Sequence, residues 1–217
     1  MYQIKIKKMR NTAITKEVQN TLTPNGVLQD LLEGNNRYVA NNLTASNVTE
    51  LVKQTTDGQN PKAVILSCID SRVPVELAFD QTIGDVFVAR VAGNFENVDI
   101  LGSMEYSCAV AGSKLVFVLG HESCGAVKAA CDGVELGNIT AMLDNIVPAA
   151  KLSSEQIDGE ANSSNSAFVA KTVENNVKMT IERIREKSKI LQEMEDNGEI
   201  KIVGGVYSLQ TGKVTML

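Results

Sequence analysis

Two short apolar runs constrain this chain more than any other feature. Ala63-Val64-Ile65-Leu66 and Leu115-Val116-Phe117-Val118-Leu119 contain no polar residue and no alternation, the pattern of strands buried on both faces of a parallel sheet. Each run stops at a cluster of reactive side chains. The first leads into Ser67-Cys68-Ile69-Asp70-Ser71-Arg72, the second into Gly120-His121-Glu122-Ser123-Cys124-Gly125. Parallel strands of one sheet end at the same edge, and open α/β sheets place their ligands outside that carboxyl edge. Cys68, His121 and Cys124 are therefore expected to meet.

The rest of the chain supplies a strand-helix rhythm around these runs. Residues 86–91 read as a strand rich in β-branched residues. Residues 98–111 read as a helix with Ile100, Leu101, Met104, Cys108 and Ala111 on one side, and 124–131 begins a helix whose small residues permit close approach to a sheet. Earlier, Thr23-Pro24 offers an N-cap and a proline at the first helical position. That helix is expected to end near Gly34, with further helical pieces over 37–42, 48–53 and 75–80. Later segments read as one helix over 138–150, a polar connection over 151–166 and a single long charged helix over 168–195. A strand over 200–207 and a short terminal strand complete the series. The rhythm implies right-handed parallel crossovers and hence an α/β fold. It comprises a central, mostly parallel β-sheet flanked by helices, an N-terminal helical arm and a C-terminal edge strand. Residues 24–217 are expected to form one domain. Residues 1–23, polar, basic and weakly patterned, are an arm that either lies on a neighbouring subunit or is loose.

Composition narrows the function. A chain of 217 residues can bury a full core, and a net charge of −5 argues against nucleic acid or an anionic membrane as a partner. No apolar run approaches the roughly 20 residues of a bilayer span. The basic start, 1–10, is not followed by an apolar segment of the about 7–15 residues that an export signal needs. A cytoplasmic address is the expectation, with a removed or undetected export signal as the alternative. Four cysteines are too few for a disulfide scaffold. Cys108 and Cys131 lack ligand-like neighbours and read as buried or half-buried thiols.

Cys68, His121 and Cys124 make a metal-ligand set, because thiolate and imidazole suit zinc where magnesium and calcium want oxygen. Iron and cobalt are less typical occupants. A hydrophilic Cys-x-Asp-x-Arg cluster is also hard to bury for packing alone. Three protein ligands leave one tetrahedral position, the mark of a catalytic rather than a closed site. Asp70 bears on that position: paired with Arg72 it leaves the place open, and swung onto the metal it fills it. Other motifs fail on spacing. Ala126 stands where a phosphate-binding loop after Gly120 would need lysine, and a Cys68 nucleophile would lack a base, since His121 is the only histidine.

Cys68-Ile69-Asp70-Ser71-Arg72 and His121-Glu122-Ser123-Cys124-Gly125 together resemble the paired signatures of the β-class carbonic anhydrases. The resemblance runs from about Asn25 to the C-terminus and takes in Gly34-Asn35-Asn36-Arg37-Tyr38, Arg90-Val91-Ala92-Gly93-Asn94, Glu105-Tyr106 and Gly204-Gly205-Val206-Tyr207. It implies Zn2+ on Cys68, His121 and Cys124, with Asp70 and Arg72 as a dyad that gates the fourth position. It implies reversible hydration of carbon dioxide to bicarbonate and a proton by zinc-bound hydroxide, in a pocket of Gln59, Phe87, Ala92, Tyr106 and the Gly125 backbone N–H. It further implies a homodimer or homotetramer with the pocket shared across the interface. One subdivision of the family builds a non-catalytic bicarbonate pocket around a tryptophan, and this chain has none, so it resembles the open-site group. Val91 and Ala92 depart from residues common in the family at the pocket wall. The alternatives are a related zinc hydrolase, such as a carbon disulfide hydrolase, and a zinc-binding protein without turnover.

Overall fold

Every residue of strands β1 (Ala63–Ser67) and β3 (Leu115–His121) is buried, as the apolar runs 63–66 and 115–119 within them demand. The computed structural model describes residues 9–217; residues 1–8 of the expected arm lie outside the described part. Strands β2 (Val86–Arg90), β4 (Lys201–Tyr207) and β5 (Val214–Met216) join β1 and β3 in one sheet of order β2-β1-β3-β4-β5. The first four strands are mutually parallel, and β5 closes the edge antiparallel to β4. The α/β architecture and the C-terminal edge strand are those the sequence implies.

Side chains alternate between two layers. Ala63, Ile65, Leu115, Phe117 and Leu119 pack against Val27 and Leu31 of helix α2 (Pro24–Val39) and against Val75 and Ala78 of α4 (Val75–Ala78). Val64, Leu66, Val116 and Val118 face Leu101 and Met104 of α5 (Val98–Glu105) and Val177 and Ile184 of α9 (Ser166–Lys187). Each fully buried aliphatic or aromatic side chain stabilises the fold by about 1.5–3 kcal/mol, and Phe79 adds an edge-on contact to Phe117 at 5.3 Å between ring centres. A third cluster gathers at the carboxyl edge. There Cys68, Phe95 and Cys124 pack with Val127 of α6 (Gly125–Cys131) and with Val169 and Val173 of α9.

Several local expectations are corrected. Helix α2 does not stop at Gly34 but runs to Val39, absorbing much of the separate piece expected over 37–42. Gly34 marks a crossing instead of an end: a Cβ there would lie 1.9 Å from the Phe79 carbonyl oxygen, so only glycine lets α2 approach that turn. The helix expected over 138–150 is two, α7 (Gly137–Leu143) and α8 (Val147–Ser154), because Pro148 in the first turn of α8 lacks the N–H a continuous helix needs. The long charged helix divides at Ser188. That residue is extended and closes α9 with its N–H, and its hydroxyl caps α10 (Lys189–Asp196) while donating to Glu105. The helix over 98–111 keeps its span but turns π-helical over Tyr106–Val110.

Among the described residues, 10–22 are held by their own chain. Arg10 pairs with Asp85, and its main chain bridges Ser46. In α1 (Lys16–Thr21) the buried Gln19 donates to the carbonyls of Pro61 and Ala111 at 2.8 and 2.9 Å. Between α2 and β1, the short α3 (Val48–Gln54) tucks Leu51 into the interior.

Gly34→Ala is expected to lower folding stability by about 3 kcal/mol, because the methyl meets a backbone carbonyl that has no room to retreat. Urea unfolding with an unchanged midpoint would contradict this crossing.

Candidate metal centre

The register of β1 on β3 sets Ser67 opposite Leu119. Cys68 thus leaves its strand level with Gly120, one residue short of His121. His121 is the last residue of β3 itself, and Cys124 is the N-cap of α6. The side-chain donor atoms of Cys68, His121 and Cys124 all lie within 4.8 Å of one another, and the three residues are buried. The two sulfurs are 3.9 Å apart. A disulfide needs about 2.05 Å, whereas two sulfurs on one tetrahedral zinc at about 2.3 Å each stand roughly 3.8 Å apart.

The histidine points the same way. His121 is fully buried, its Nδ1 lies 2.9 Å from the Glu122 carbonyl, and its Nε2 has no hydrogen-bond partner. A carbonyl only accepts, so Nδ1 carries the proton and Nε2 presents a lone pair towards the sulfurs. An orphaned buried nitrogen is costly unless a ligand satisfies it. The thiols are equally unbalanced. The hydrogen bond between the two sulfurs pulls the Cys68 thiol well below its ordinary value against the opposing effect of burial, and the Gly93 N–H, 3.4 Å from the sulfur, adds to the effect. That same bond, together with burial, pushes Cys124 up. Two buried sulfurs this close oppose each other's ionisation, and a divalent cation is what would let both be thiolates. The donor set fits zinc.

Asp70 faces Arg72. The guanidinium grips the carboxylate at 3.0 and 2.7 Å, and the Arg72 backbone N–H donates to the same carboxylate at 2.9 Å. These bonds outweigh partial burial and hold Asp70 well below the usual carboxylate range. Of the two positions open to Asp70 in sequence, the structure holds the one paired with Arg72, and Oδ2 stands 3.8 Å from His121 Nε2. Arg90, given no role by the sequence, braces this loop by donating to the carbonyls of Cys68, Asp70 and Val73 at 2.8, 2.7 and 3.0 Å. Its signal was a lone cation at the end of an apolar strand.

The remaining pocket residues divide between two ends of the sheet. Ala92 is part-buried beside Gly93, and Gly125 opens α6 with nothing within 4 Å of where a Cβ would stand. Both adjoin the ligands. Gln59 is exposed and precedes β1, so it sits at the amino edge, a strand of five residues, or about 16 Å, from Cys68. Phe87 pairs with Val64 near that same edge, and its ring lies 6.2 Å from that of the half-exposed Tyr106. The structure brings Phe87 and Tyr106 together and, within one chain, brings neither these two nor Gln59 to the metal ligands.

A Cys2His set at the carboxyl edge of a parallel α/β sheet, flanked by a carboxylate-guanidinium pair, defines a candidate mononuclear metal site at strand ends. This chain belongs to the carbonic anhydrase family, in its β class: the carbonic anhydrase family model matches residues 63–214. Over 192 residues it is 34% identical to carbonic anhydrase 2 of Mycobacterium tuberculosis, covering 86% of this chain and 89% of that protein. The β-carbonic anhydrase of Coccomyxa, solved with acetazolamide, superposes with a TM-score of 0.69 at 25% identity, over 88% of this chain and 86% of that one. The fold is also that of a tetrameric β-carbonic anhydrase from Sordaria macrospora, with a TM-score of 0.68 at 23% identity over 75% and 83% of the two chains.

One equivalent of Co2+ per chain is expected to give intense thiolate-to-metal absorption. Cys68→Ser and Cys124→Ser should each weaken it, and undiminished bands in both variants would remove the sulfurs from the site.

Proposed function

We propose that this protein catalyses the reversible hydration of carbon dioxide to bicarbonate and a proton, with zinc on Cys68, His121 and Cys124. The observation that carries the proposal is the partnerless, buried His121 Nε2 set against two sulfurs 3.9 Å apart, in a chain of this family. A zinc ion held there would supply a water acidified towards neutrality as nucleophile, the effect for which carbonic anhydrase is the reference case. Asp70 and Arg72 are the gating dyad. Arg72 keeps the carboxylate ionised and paired with its own guanidinium, which would leave the fourth position of a bound metal open. Asp70 Oδ2, 3.8 Å from His121 Nε2, would accept a hydrogen bond from a water held there and orient it towards carbon. Among the described residues only three donors converge, which favours an open site over a closed, non-catalytic one.

Ala92 and the Gly125 N–H serve the substrate from the same chain. Gln59, Phe87 and Tyr106, displaced towards the amino edge, serve it from a second copy, so the working unit is a homodimer or a tetramer built from dimers. Residues 24–217 act as the catalytic domain and 1–23 as its extension. His121, the sole histidine, is occupied as a ligand, so protons leave through Tyr106, Asp70, water chains or external buffer. Four free thiols suit a cytoplasmic setting. Separately, no helix among the described residues is long and apolar enough to cross a membrane.

Stopped-flow hydration of carbon dioxide on samples with a zinc count tests the chemistry. Activity is expected to follow zinc up to one per chain, to rise with buffer concentration when buffer is scarce, and to vanish in His121→Ala. Full zinc and full activity in that variant would end the proposal. Mixing tests the shared pocket. Gln59→Ala and His121→Ala chains, each impaired alone, should regain roughly one quarter of wild-type sites when re-associated at random in equal amounts, since each mixed dimer holds one intact site. Activity no greater than the average of the two parents would place the pocket within one chain.

A further inference from the structure

Glu122 lies inside the metal-binding turn, and nothing in the proposed reaction uses it. Its backbone is engaged on both sides. The N–H donates to the Tyr207 carbonyl of β4 at 3.0 Å, and the carbonyl accepts from His121 Nδ1 at 2.9 Å. The side chain, though exposed, is tethered as well. One carboxylate oxygen, Oε2, accepts from Ser208 Oγ at 2.9 Å and from the Leu209 N–H at 3.0 Å. Both donors sit in the turn between β4 and β5, which is closed by the Ser208 N–H on the Lys213 carbonyl and the Gly212 N–H on the Ser208 carbonyl.

The turn that Glu122 shares needs such an anchor. Ser123, the next residue, has φ +52°, the left-handed region in which a residue with a Cβ is disfavoured. Strained backbone of this kind persists only where its surroundings over-determine it. Main-chain pairing with Tyr207 fixes residue 122 at one point, and the carboxylate fixes it at a second on the neighbouring turn. Between these two points lies the carbonyl that holds the imidazole proton on Nδ1.

We propose that Glu122 is a positioning residue for the metal centre: its carboxylate, clamped by Ser208 and Leu209, fixes the peptide that sets the tautomer and direction of the His121 ring. The inference rests on the reading of His121 as a zinc ligand and adds a residue to it. Groups that orient a ligating histidine through its second nitrogen commonly change metal affinity by about 10–100-fold. Glu122 acts through its own peptide and not by direct contact with the ring, so its removal belongs at the low end, about ten-fold.

The lone histidine makes the test clean, because a proton–nitrogen correlation spectrum of the zinc-loaded, full-length chain contains one imidazole. In wild type the Nδ1–H should be visible and slow to exchange with water. In Glu122→Ala and in Ser208→Ala it should exchange about ten-fold faster, and zinc competition against a chelator should show about ten-fold weaker binding. Glu122→Gln keeps an acceptor for both donors and should match wild type in both measurements. Thermal melts of all four proteins separate positioning from unfolding, since residue 122 is exposed and its variants should melt with wild type. Wild-type exchange and wild-type zinc affinity in both Glu122→Ala and Ser208→Ala would overturn the proposal. Failure of the underlying reading looks different: zinc added to stripped wild type would leave the Nε2 resonance unmoved, and the proposal would fall with it.

Discussion

The pairing register of β1 on β3 is the constraint from which the site follows. With Ser67 opposite Leu119, the residue after β1 and the residue ending β3 come to the same edge within reach of a single ion. A slip of one residue would exchange the buried faces of β1, taking Ile65 out of one layer and placing it in the other. Register is therefore fixed by core packing, and the candidate metal ligands inherit that precision without contributing to it. Gly120 completes the arrangement. A Cβ there would meet Val177 at 2.6 Å, so glycine just before the ligand histidine lets α9 lie close against the end of β3.

Around the ligands, charge is arranged by arginines in different roles. Arg72 is largely exposed and binds a carboxylate through two nitrogens, a geometry that lysine cannot reproduce. Arg90 spends its donors on three carbonyls of the loop that carries Cys68 and Asp70, so the loop's shape is anchored to the edge strand β2. Helix α9 meets the same region from the other side. Asn176 donates to the Gly93 carbonyl at 2.8 Å, while Arg183 and Lys187 converge on the buried Glu96. The segment after β2 is thus fixed at both ends, and with it the Gly93 N–H that faces the Cys68 sulfur.

Much of this was legible in the sequence because the signals were local and strong. Uninterrupted apolar runs identified β1 and β3, and the residues that end them pointed to the three donors that converge, since a thiol or an imidazole at a strand end has few other uses. What escaped depended on contacts between distant segments. Gly34 resembles a helix terminator unless one knows that the Phe79 carbonyl crosses there. Ser188 resembles an ordinary helical residue until its hydroxyl is seen to bind Glu105 and cap α10. Glu122 offered no signal at all, because its partners, Ser208 and Leu209, are far along the chain. The distance of Gln59 from the candidate ligands was implicit in strand direction, since residues before and after a strand leave by opposite edges.

All three donor side chains come from one chain, and the two strand ends that present them meet through pairing within that chain. The candidate ligand set is therefore complete within a single folded polypeptide, and no donor atom has to come from a second copy.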